Sequence, residues 1–187
     1  MIRNPKLKHQ EEQILIDIKS GKDINLVLRE IITTYKERLY WHIRNMLKNH
    51  DDTDDVLQNV FIKVYQNISK FKSESKLYSW LYRIATNEAI TFLNKQANKK
   101  GITNQELSSL LVQNLKADVY YDGDEMQYKL QCAIATLPEK QQLVFNMKYF
   151  EDLKYKEISD ILGTSEGALK ASYHLATKKI EEFIKSN

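Results

Sequence analysis

The residues of this chain best suited to chemistry fall into two constellations, and the later one has the more specific pattern. From Tyr155 onward the sequence reads as a helix, a tight turn and a second helix, over residues 155–179. Ser159, Gly163 and Leu169 stand at offsets of four and six. A helix-turn-helix needs such a pattern: a small residue at the crossing, a left-handed turn and an apolar plug. Ser165 can cap the second helix, and Leu169, Tyr173, Ala176 and Ile180 continue its apolar side. If that helix enters a major groove, Glu166, Lys170, Ser172 and His174 meet base edges. Lys170, Lys178 and Lys179 suit phosphate contacts, which position without specifying sequence. Glu166 can equally stabilise its own helix N-terminus, and an antiparallel helix pair with a Gly turn is the plainer reading of the segment.

A second constellation lies earlier. Phe71, Lys72, Ser73, Glu74, Ser75 and Lys76 form a polar, aperiodic loop, and Tyr78, Trp80, Arg83, Asn87 and Lys95 follow it. Aromatic planes stack on unpaired bases, a pocket can read a flipped base, and cations hold the backbone. Trp80 and Ile84 can equally pack inward. Asp54, Asp55, Gln58, Asn59 and Lys63 suit a polar docking face or a merely solvated one. A divalent-metal site among His50, Asp51, Asp52, Asp54 and Asp55 is disfavoured, because consecutive positions at a helix start point in different directions. His9, His42, His50 and His174 are scattered and no Gly-rich loop occurs. The expectation is a protein that is not an enzyme and needs no cofactor.

Helices must position these residues. The 187 residues include two Pro and five Gly, and the abundance of Leu, Ile, Lys, Glu and Gln favours helix. Hydrophobic residues at 42% and charged residues at 28% leave enough apolar material for a core. Leu28, Ile31, Ile32, Tyr35, Leu39, Ile43 and Leu47 fall three and four apart, predicting a helix over residues 24–48. A second helix starts near Asp51 to Thr53, runs to about Asn67 and buries Val56, Val60, Phe61, Val64 and Ile68. A third spans Leu77 to about Ala97, with Gly101 ending the block. Between Gly101 and Gly123 the pattern weakens into a linker with room for a short helix over residues 105–115. Residues 127–136 are weakly helical. Leu137-Pro138-Glu139 then restarts a helix, with Pro at its first position and with Leu143, Val144, Met147 and Phe150 inward. The expected fold is all-α: helical domains at 1–100 and 125–187 joined by a flexible linker at 101–124.

Charge is uneven along this plan. Residues 1–100 carry 18 Lys+Arg against 12 Asp+Glu, residues 101–136 carry 2 against 5, and residues 137–187 carry 8 against 8. Only the first segment is biased toward phosphate. The single cysteine, Cys132, cannot form an internal disulfide, which suits a reducing compartment. The first residues contain no apolar signal-peptide stretch, and no window approaches the ~18 uncharged apolar residues a membrane helix needs. A cytoplasmic protein without membrane insertion is expected.

The run Asp54-Asp55-Val56-Leu57-Gln58-Asn59-Val60-Phe61-Ile62-Lys63-Val64-Tyr65, then Phe71, then Ser79-Trp80-Leu81-Tyr82-Arg83-Ile84-Ala85-Thr86-Asn87, resembles the second conserved region of bacterial sigma factors. The group is the extracytoplasmic-function (ECF) group of the sigma-70 family. Leu137-Pro138-Glu139-Lys140-Gln141, Tyr149-Phe150-Glu151, Tyr155-Lys156-Glu157-Ile158 and Leu162-Gly163-Thr164-Ser165-Glu166-Gly167 are similar to that family's fourth region. The resemblance implies a transcription initiation factor that docks on core RNA polymerase, recognises the minus-10 and minus-35 promoter elements and helps melt the former. It implies that Asp54, Asp55, Gln58, Asn59, Phe61 and Lys63 meet a coiled coil of the polymerase's largest subunit, with the polymerase flap as a further contact. The loop Phe71, Lys72, Ser73, Glu74, Ser75, Lys76 becomes a pocket for a flipped base, with Tyr78, Trp80, Arg83, Asn87 and Lys95 on the DNA-facing side or beneath it. Thr164, Ser165, Glu166, Lys170, Ser172, Tyr173, His174, Lys178 and Lys179 would serve the minus-35 element. An anti-sigma partner is also implied.

Some positions depart from the family pattern. Thr91 and Asn94 stand where relatives commonly carry an acidic and a basic residue, and Ser172, Leu175 and Thr177 where arginines are frequent. The recognition helix is thus left with few cations. The competing reading is a helix-turn-helix regulator that binds an operator without joining polymerase. It would need neither the docking helix nor the Phe71 loop, and would usually dimerise on a symmetric operator.

Overall fold

The computed structural model describes residues 5–71, 76–113, 115 and 123–186. Those residues form α1 (Pro5–Lys19), α2 (Ile24–Leu47), α3 (His50–Asn67), α4 (Leu77–Lys100), α5 (Asn104–Gln113), α6 (Glu125–Ala135), α7 (Glu139–Tyr149), α8 (Tyr155–Leu162) and α9 (Glu166–Ser186), with one 3-10 turn at Ile68–Lys70. No strand occurs among them, and no helix among them is long and apolar enough to cross a membrane.

Local chemistry sets most boundaries. Asp23 accepts the Asn25 N–H at 2.9 Å to start α2, Asn49 accepts the Asp52 N–H at 2.9 Å to start α3, and Asp124 accepts the Gln127 N–H at 2.7 Å to start α6. Each satisfies a backbone donor that the helix cannot. Gly101 (φ 66) and Gly163 (φ 64) end α4 and α8 in the left-handed region, where a Cβ is costly. Lys48 ends α2 in the same conformation (φ 59).

Burial follows the helical stripes. Ile31, Leu39, Ile43 and Leu47 of α2 meet Val56, Val60 and Val64 of α3 and Leu77, Leu81 and Ala85 of α4, all at most 2% exposed. Each fully buried aliphatic side chain stabilises the fold by about 1.5–3 kcal/mol. Ile14 joins α1 to this core; the sequence reading had assigned α1 no helix. The second half of the chain has its own cluster, Ala133, Ile134, Leu137, Phe145, Ala176 and Ile180.

Three details differ from the sequence expectation. Pro138 is the N-cap, not the first helical residue: its ψ of 146 is extended, and its carbonyl accepts the Gln141 and Gln142 N–H groups. Phe150 follows the end of α7 and is 38% exposed, whereas Phe145, one turn earlier, is buried and stacks on Tyr173. The linker is more ordered than expected at its start, because Leu107 and Val112 of α5 are buried and α5 packs on both α4 and α6.

The two halves also dock on each other. α8 lies along α4, and α7 touches α2. Val144, Met147, Leu153, Ile158, Ile161 and Leu169 thereby join the core of α1–α4.

Candidate polymerase and nucleic-acid interfaces

On α3, Asp55, Gln58, Asn59 and Lys63 are exposed, and Asp54 and Phe61 are half-buried. Lys63 forms an ion pair with Glu88 of α4. His50 Nε2 lies 3.6 Å from Asp54 Oδ2, and its Nδ1 lies 2.7 Å from the Tyr40 hydroxyl. Partial burial, then the neighbouring Asp55 and Asp51 carboxylates, hold the Asp52 carboxyl above its ordinary pKa. Two side chains extend this face beyond the sequence reading: Ile62 and Tyr65, 54% and 43% exposed. Ile62 lies four residues from Gln58 and Tyr65 three beyond Ile62, a spacing that puts them on the same side of the helix.

On α4, Lys76, Trp80, Arg83, Asn87, Thr91 and Asn94 recur at helical spacing along one side. All are exposed except Trp80, which is half-buried. Phe71 packs on Trp80 with ring centroids 5.2 Å apart, so the start of the loop is anchored to the helix that follows it. Lys76 Nζ sits 5.5 Å from the Tyr78 ring centroid. Lys95 is exposed about 18 Å further along the axis than Arg83, at 1.5 Å per residue. Lys72, Ser73, Glu74 and Ser75 lie outside the described residues. Tyr78 is not on the exposed side at all. It is 5% exposed, and burial together with the Glu157 and Asp160 carboxylates of α8 holds its phenol above the ordinary pKa.

The helix-turn-helix is formed by α8, Gly163 and α9. Ile158, Ile161 and Leu169 are buried as its plug, and Ser165 Oγ accepts the Ala168 N–H at 3.4 Å. Thr164, Ser165, Glu166, Lys170, His174, Lys178 and Lys179 are exposed, while Ser172 and Tyr173 are half-buried. Tyr173 stacks on Phe145 at 5.8 Å and meets Tyr155 edge-on, which makes it packing material. Lys170 Nζ stands 5.7 Å from the Tyr155 ring centroid, and Lys179 donates to Gln141 Oε1 at 3.2 Å.

Between the halves runs a seam of buried polar groups. His42 of α2 places Nδ1 2.8 Å from Glu151 Oε1 and Nε2 2.9 Å from Thr86 Oγ1. The Thr86 hydroxyl proton is committed to the Tyr82 carbonyl, so His42 Nε2–H is the donor to Thr86. Asn146 donates to the Asn45 carbonyl at 3.3 Å, and Lys48 Nζ donates to Gln131 Oε1 at 2.6 Å. Burial, reinforced by Arg44, lowers the Lys48 amine to a pKa of about 7. Arg83 donates to the Asp160 carbonyl across the same seam. No stretch of sequence contains this arrangement, since His42 and Glu151 are 109 residues apart.

The fold and these surfaces define a helical protein of two modules, one ending in a helix-turn-helix and the other presenting a loop and helix rich in aromatic and cationic groups. Residues 31–99 match the family model for sigma-70 region 2, and residues 127–180 the model for sigma-70 region 4. The ECF RNA polymerase sigma-E factor of Haemophilus influenzae is 30% identical over 144 residues, covering 73% of this chain and 76% of that protein. The ECF RNA polymerase sigma factor SigW of Bacillus subtilis is 28% identical over 166 residues, covering 83% and 88%. Among solved structures, CnrH in complex with the cytosolic domain of CnrY superposes with a TM-score of 0.68 at 15% identity, over 95% of this chain and 99% of that one. The sigma factor RpoE in complex with the anti-sigma factor NepR from Bartonella quintana gives 0.63 at 18% identity, over 84% and 96%. The chain belongs to the sigma-70 family, in its ECF group, and is a promoter-specificity factor of RNA polymerase.

Proposed function

We propose that the chain reads a promoter at two points, through the exposed sides of α4 and α9, while the exposed face of α3 docks on core polymerase. The observation carrying this reading is the pair of exposed stripes. Lys76, Trp80, Arg83 and Asn87 lie beside Phe71 on one module, and Glu166, Lys170, His174 and Lys178 lie on the other. The first suits unpaired bases and their backbone; the second suits an intact major groove. Asp55, Gln58, Asn59, Ile62, Lys63 and Tyr65 then form the polymerase contact, mixed polar and apolar in the way of a protein interface.

Acting at both elements requires the halves to part. A compact chain of 187 residues has a radius of gyration of about 16 Å, whereas elements about 25 base pairs apart are separated by about 85 Å. With α5 kept helical, residues 101–124 reach about 60 Å, and the width of the two modules covers the remainder once the seam opens. The docked arrangement is therefore a resting form, in which α8 covers Tyr78 and engages Arg83. Its likeness to the sigma factor RpoE solved with the anti-sigma factor NepR supports the proposal that this chain, too, is restrained by an anti-sigma protein. Such a chain works where polymerase works, in the cytoplasm, and performs no chemistry of its own.

The test is reconstitution with core polymerase and a promoter library, followed by footprinting of the strand-separated region. Initiation should depend on the chain, and Arg83→Ala with Asn87→Ala should reduce strand separation while leaving core binding intact. Failure to bind core polymerase, together with stable binding to a palindromic duplex, refutes the reading in favour of a plain helix-turn-helix regulator.

A further inference from the structure

α5 lies in the linker, and its start is encoded locally. The Thr103 N–H donates to Glu106 Oε2 at 2.7 Å and the Glu106 N–H donates to Thr103 Oγ1 at 3.2 Å, a reciprocal pair that satisfies two donors the helix itself cannot. Gly101 (φ 66) ends α4 just before it, so residues 101–103 alone separate α4 from α5.

α5 is nevertheless fastened to the other module. At the corner between α6 and α7, Gln105 donates to the Thr136 carbonyl at 3.0 Å, Asn104 to Glu139 Oε2 at 3.1 Å and Ser108 to Gln142 Oε1 at 3.3 Å. Leu107 and Val112, 1% and 2% exposed, bury its apolar side, and α5 packs on α6 as well as on α4. The orientation of the Asn104 amide follows from its partners. An ionised carboxylate only accepts, so the amide nitrogen faces Glu139, and the second hydrogen of that nitrogen goes to Asn94 Oδ1 of α4 at 2.6 Å. One side chain thus ties both modules. The fastening is not sealed: the bonds of Asn104 and Gln105 lie at the surface, where water can replace either partner. A cavity of about 100 Å³, lined by Met46, Ile90, Leu111 and Leu137 among others, remains where α5 meets both modules, so part of its apolar side lacks contact atoms.

We propose that α5 sets the reach of the molecule: held at the α6–α7 corner it keeps the modules on the tether of residues 101–103, and its release from that corner lets both promoter elements be engaged at once, which rests on the reading that the chain holds two elements. A compact module of this size is about 30 Å across, so two in line cover about 60 Å. Residues 101–103 add about 10 Å when extended, and the total of about 70 Å falls short of the about 85 Å between the elements. With α5 off the corner and still on α4, residues 114–124 add about 40 Å instead, and about 100 Å spans the gap. Opening the polar seam is therefore necessary but does not suffice; α5 has to let go of α6 and α7 as well.

The test uses holoenzyme assembled with the full chain in a Cys132→Ser background. Ser108→Cys and Gln142→Cys are joined by a short bis-methanethiosulfonate linker, which fixes α5 to α7 and is cleaved by reductant. The probes are a promoter duplex selected with wild-type holoenzyme from a random library, and the same duplex with its upstream half scrambled. Wild type should prefer the intact duplex about tenfold or more, since each mismatched base pair in a recognised site is costly. The linked protein should bind both duplexes alike, at the level wild type shows for the scrambled one, with core binding unchanged, and reductant should restore the preference. Asn104→Cys with Glu139→Cys, linked in the same way, should behave identically and decides if the first variant does not fold. An undiminished preference in the linked protein overturns the proposal and leaves the two-element reading standing. Loss of core binding on linking overturns it too, because α5 would then govern docking on polymerase and not reach. Absence of any preference in wild type removes the two-element reading itself, and this proposal with it.

Discussion

Replacing Glu151 with alanine should open the molecule rather than unfold it. In the docked form the Glu151 side chain is 9% exposed and that of His42 2%, with 2.8 Å between their polar atoms. Removing the carboxylate strands His42 Nδ1 in the seam, and an unpartnered buried polar group costs about 1–3 kcal/mol, more if charged. Separation of the halves offers an escape, since it returns the imidazole to water. Taking about 2 kcal/mol, the ratio of docked to separated molecules falls about 30-fold. The assay is energy transfer between dyes on Gln66→Cys of α3 and Lys185→Cys of α9, both exposed, in a Cys132→Ser background. Transfer should drop in Glu151→Ala while the helical circular dichroism signal is retained. The double variant His42→Leu with Glu151→Leu should recover much of the transfer, because replacing both members of a buried pair by apolar groups is often near neutral. A Glu151→Ala protein that melts earlier but keeps wild-type transfer up to its melting temperature would refute the reasoning, since the seam would then be ordinary core.

Docking should also depend on pH through Lys48. Its amine has a pKa of about 7 in the docked form, against 10.5 in water. The docked form therefore favours the neutral amine, and docking strengthens as pH rises above 7 by about tenfold per unit until near 10.5, losing that gain as pH falls back to 7. The same energy-transfer pair followed from pH 7 to 9 measures it, and Lys48→Met should flatten the profile; an unchanged slope in that variant rejects the assignment. Lys178→Ala should weaken holoenzyme binding equally across promoter sequences and lower the log–log salt slope by about 0.9, the loss expected for one phosphate contact. A sequence-selective loss in a salt titration would instead make Lys178 a base reader. Gly163→Ala should destabilise by about 1–2 kcal/mol from left-handed backbone strain. No atom lies within 4 Å of the added Cβ, so a urea midpoint shift well beyond that range would contradict strain as the sole cause.

Local pattern made much of this molecule legible. Gly163 and Leu169 act over a few residues, and there the sequence expectation and the structure agree; the cap of α3, expected among Asp51 to Thr53, is Asn49, within a turn of that place. Phe150 and Pro138 show the limit of such reasoning. Deciding which of Phe145 and Phe150 points inward depends on where α7 stops, and that is set by Leu153 turning back to donate its N–H to the Met147 carbonyl. Residues 5–19 carried a helical spacing in Ile14 and Ile18 that was weaker than the surrounding charge. The contact of Glu11 was invisible, because its partner is the backbone N–H of Tyr78, on a helix far along the chain. For Tyr78, on the DNA-facing side or beneath it by the resemblance, the burial has a related reason: its position on α4 says only that it opposes Trp80, and what covers that opposite side is α8, delivered by the docking of the other module.

The composition of the seam bears on the proposal that this docking is reversible. If the two halves were meant to stay together, apolar residues at positions 42, 48, 86, 146 and 151 would hold them more firmly, since a buried ion pair or amide rarely outperforms a well-packed apolar group of the same size. Polar side chains lose little on separation, because water replaces each partner, while a mispaired docking leaves them stranded and is penalised. The polar contacts of the seam are thus strict about register, while Val144, Met147, Leu153, Ile158, Ile161 and Leu169 supply its apolar hold. Those properties suit the proposed resting form, in which α8 packs on the side of α4 that carries Tyr78 and leaves Lys76, Arg83 and Asn87 on the other side exposed. Of the apolar residues in the seam, Ile158, Ile161 and Leu169 serve the helix-turn-helix as well, so opening exposes part of their surface without dismantling the module. The free energy that separates the docked and extended forms can then remain small enough for binding partners to shift it.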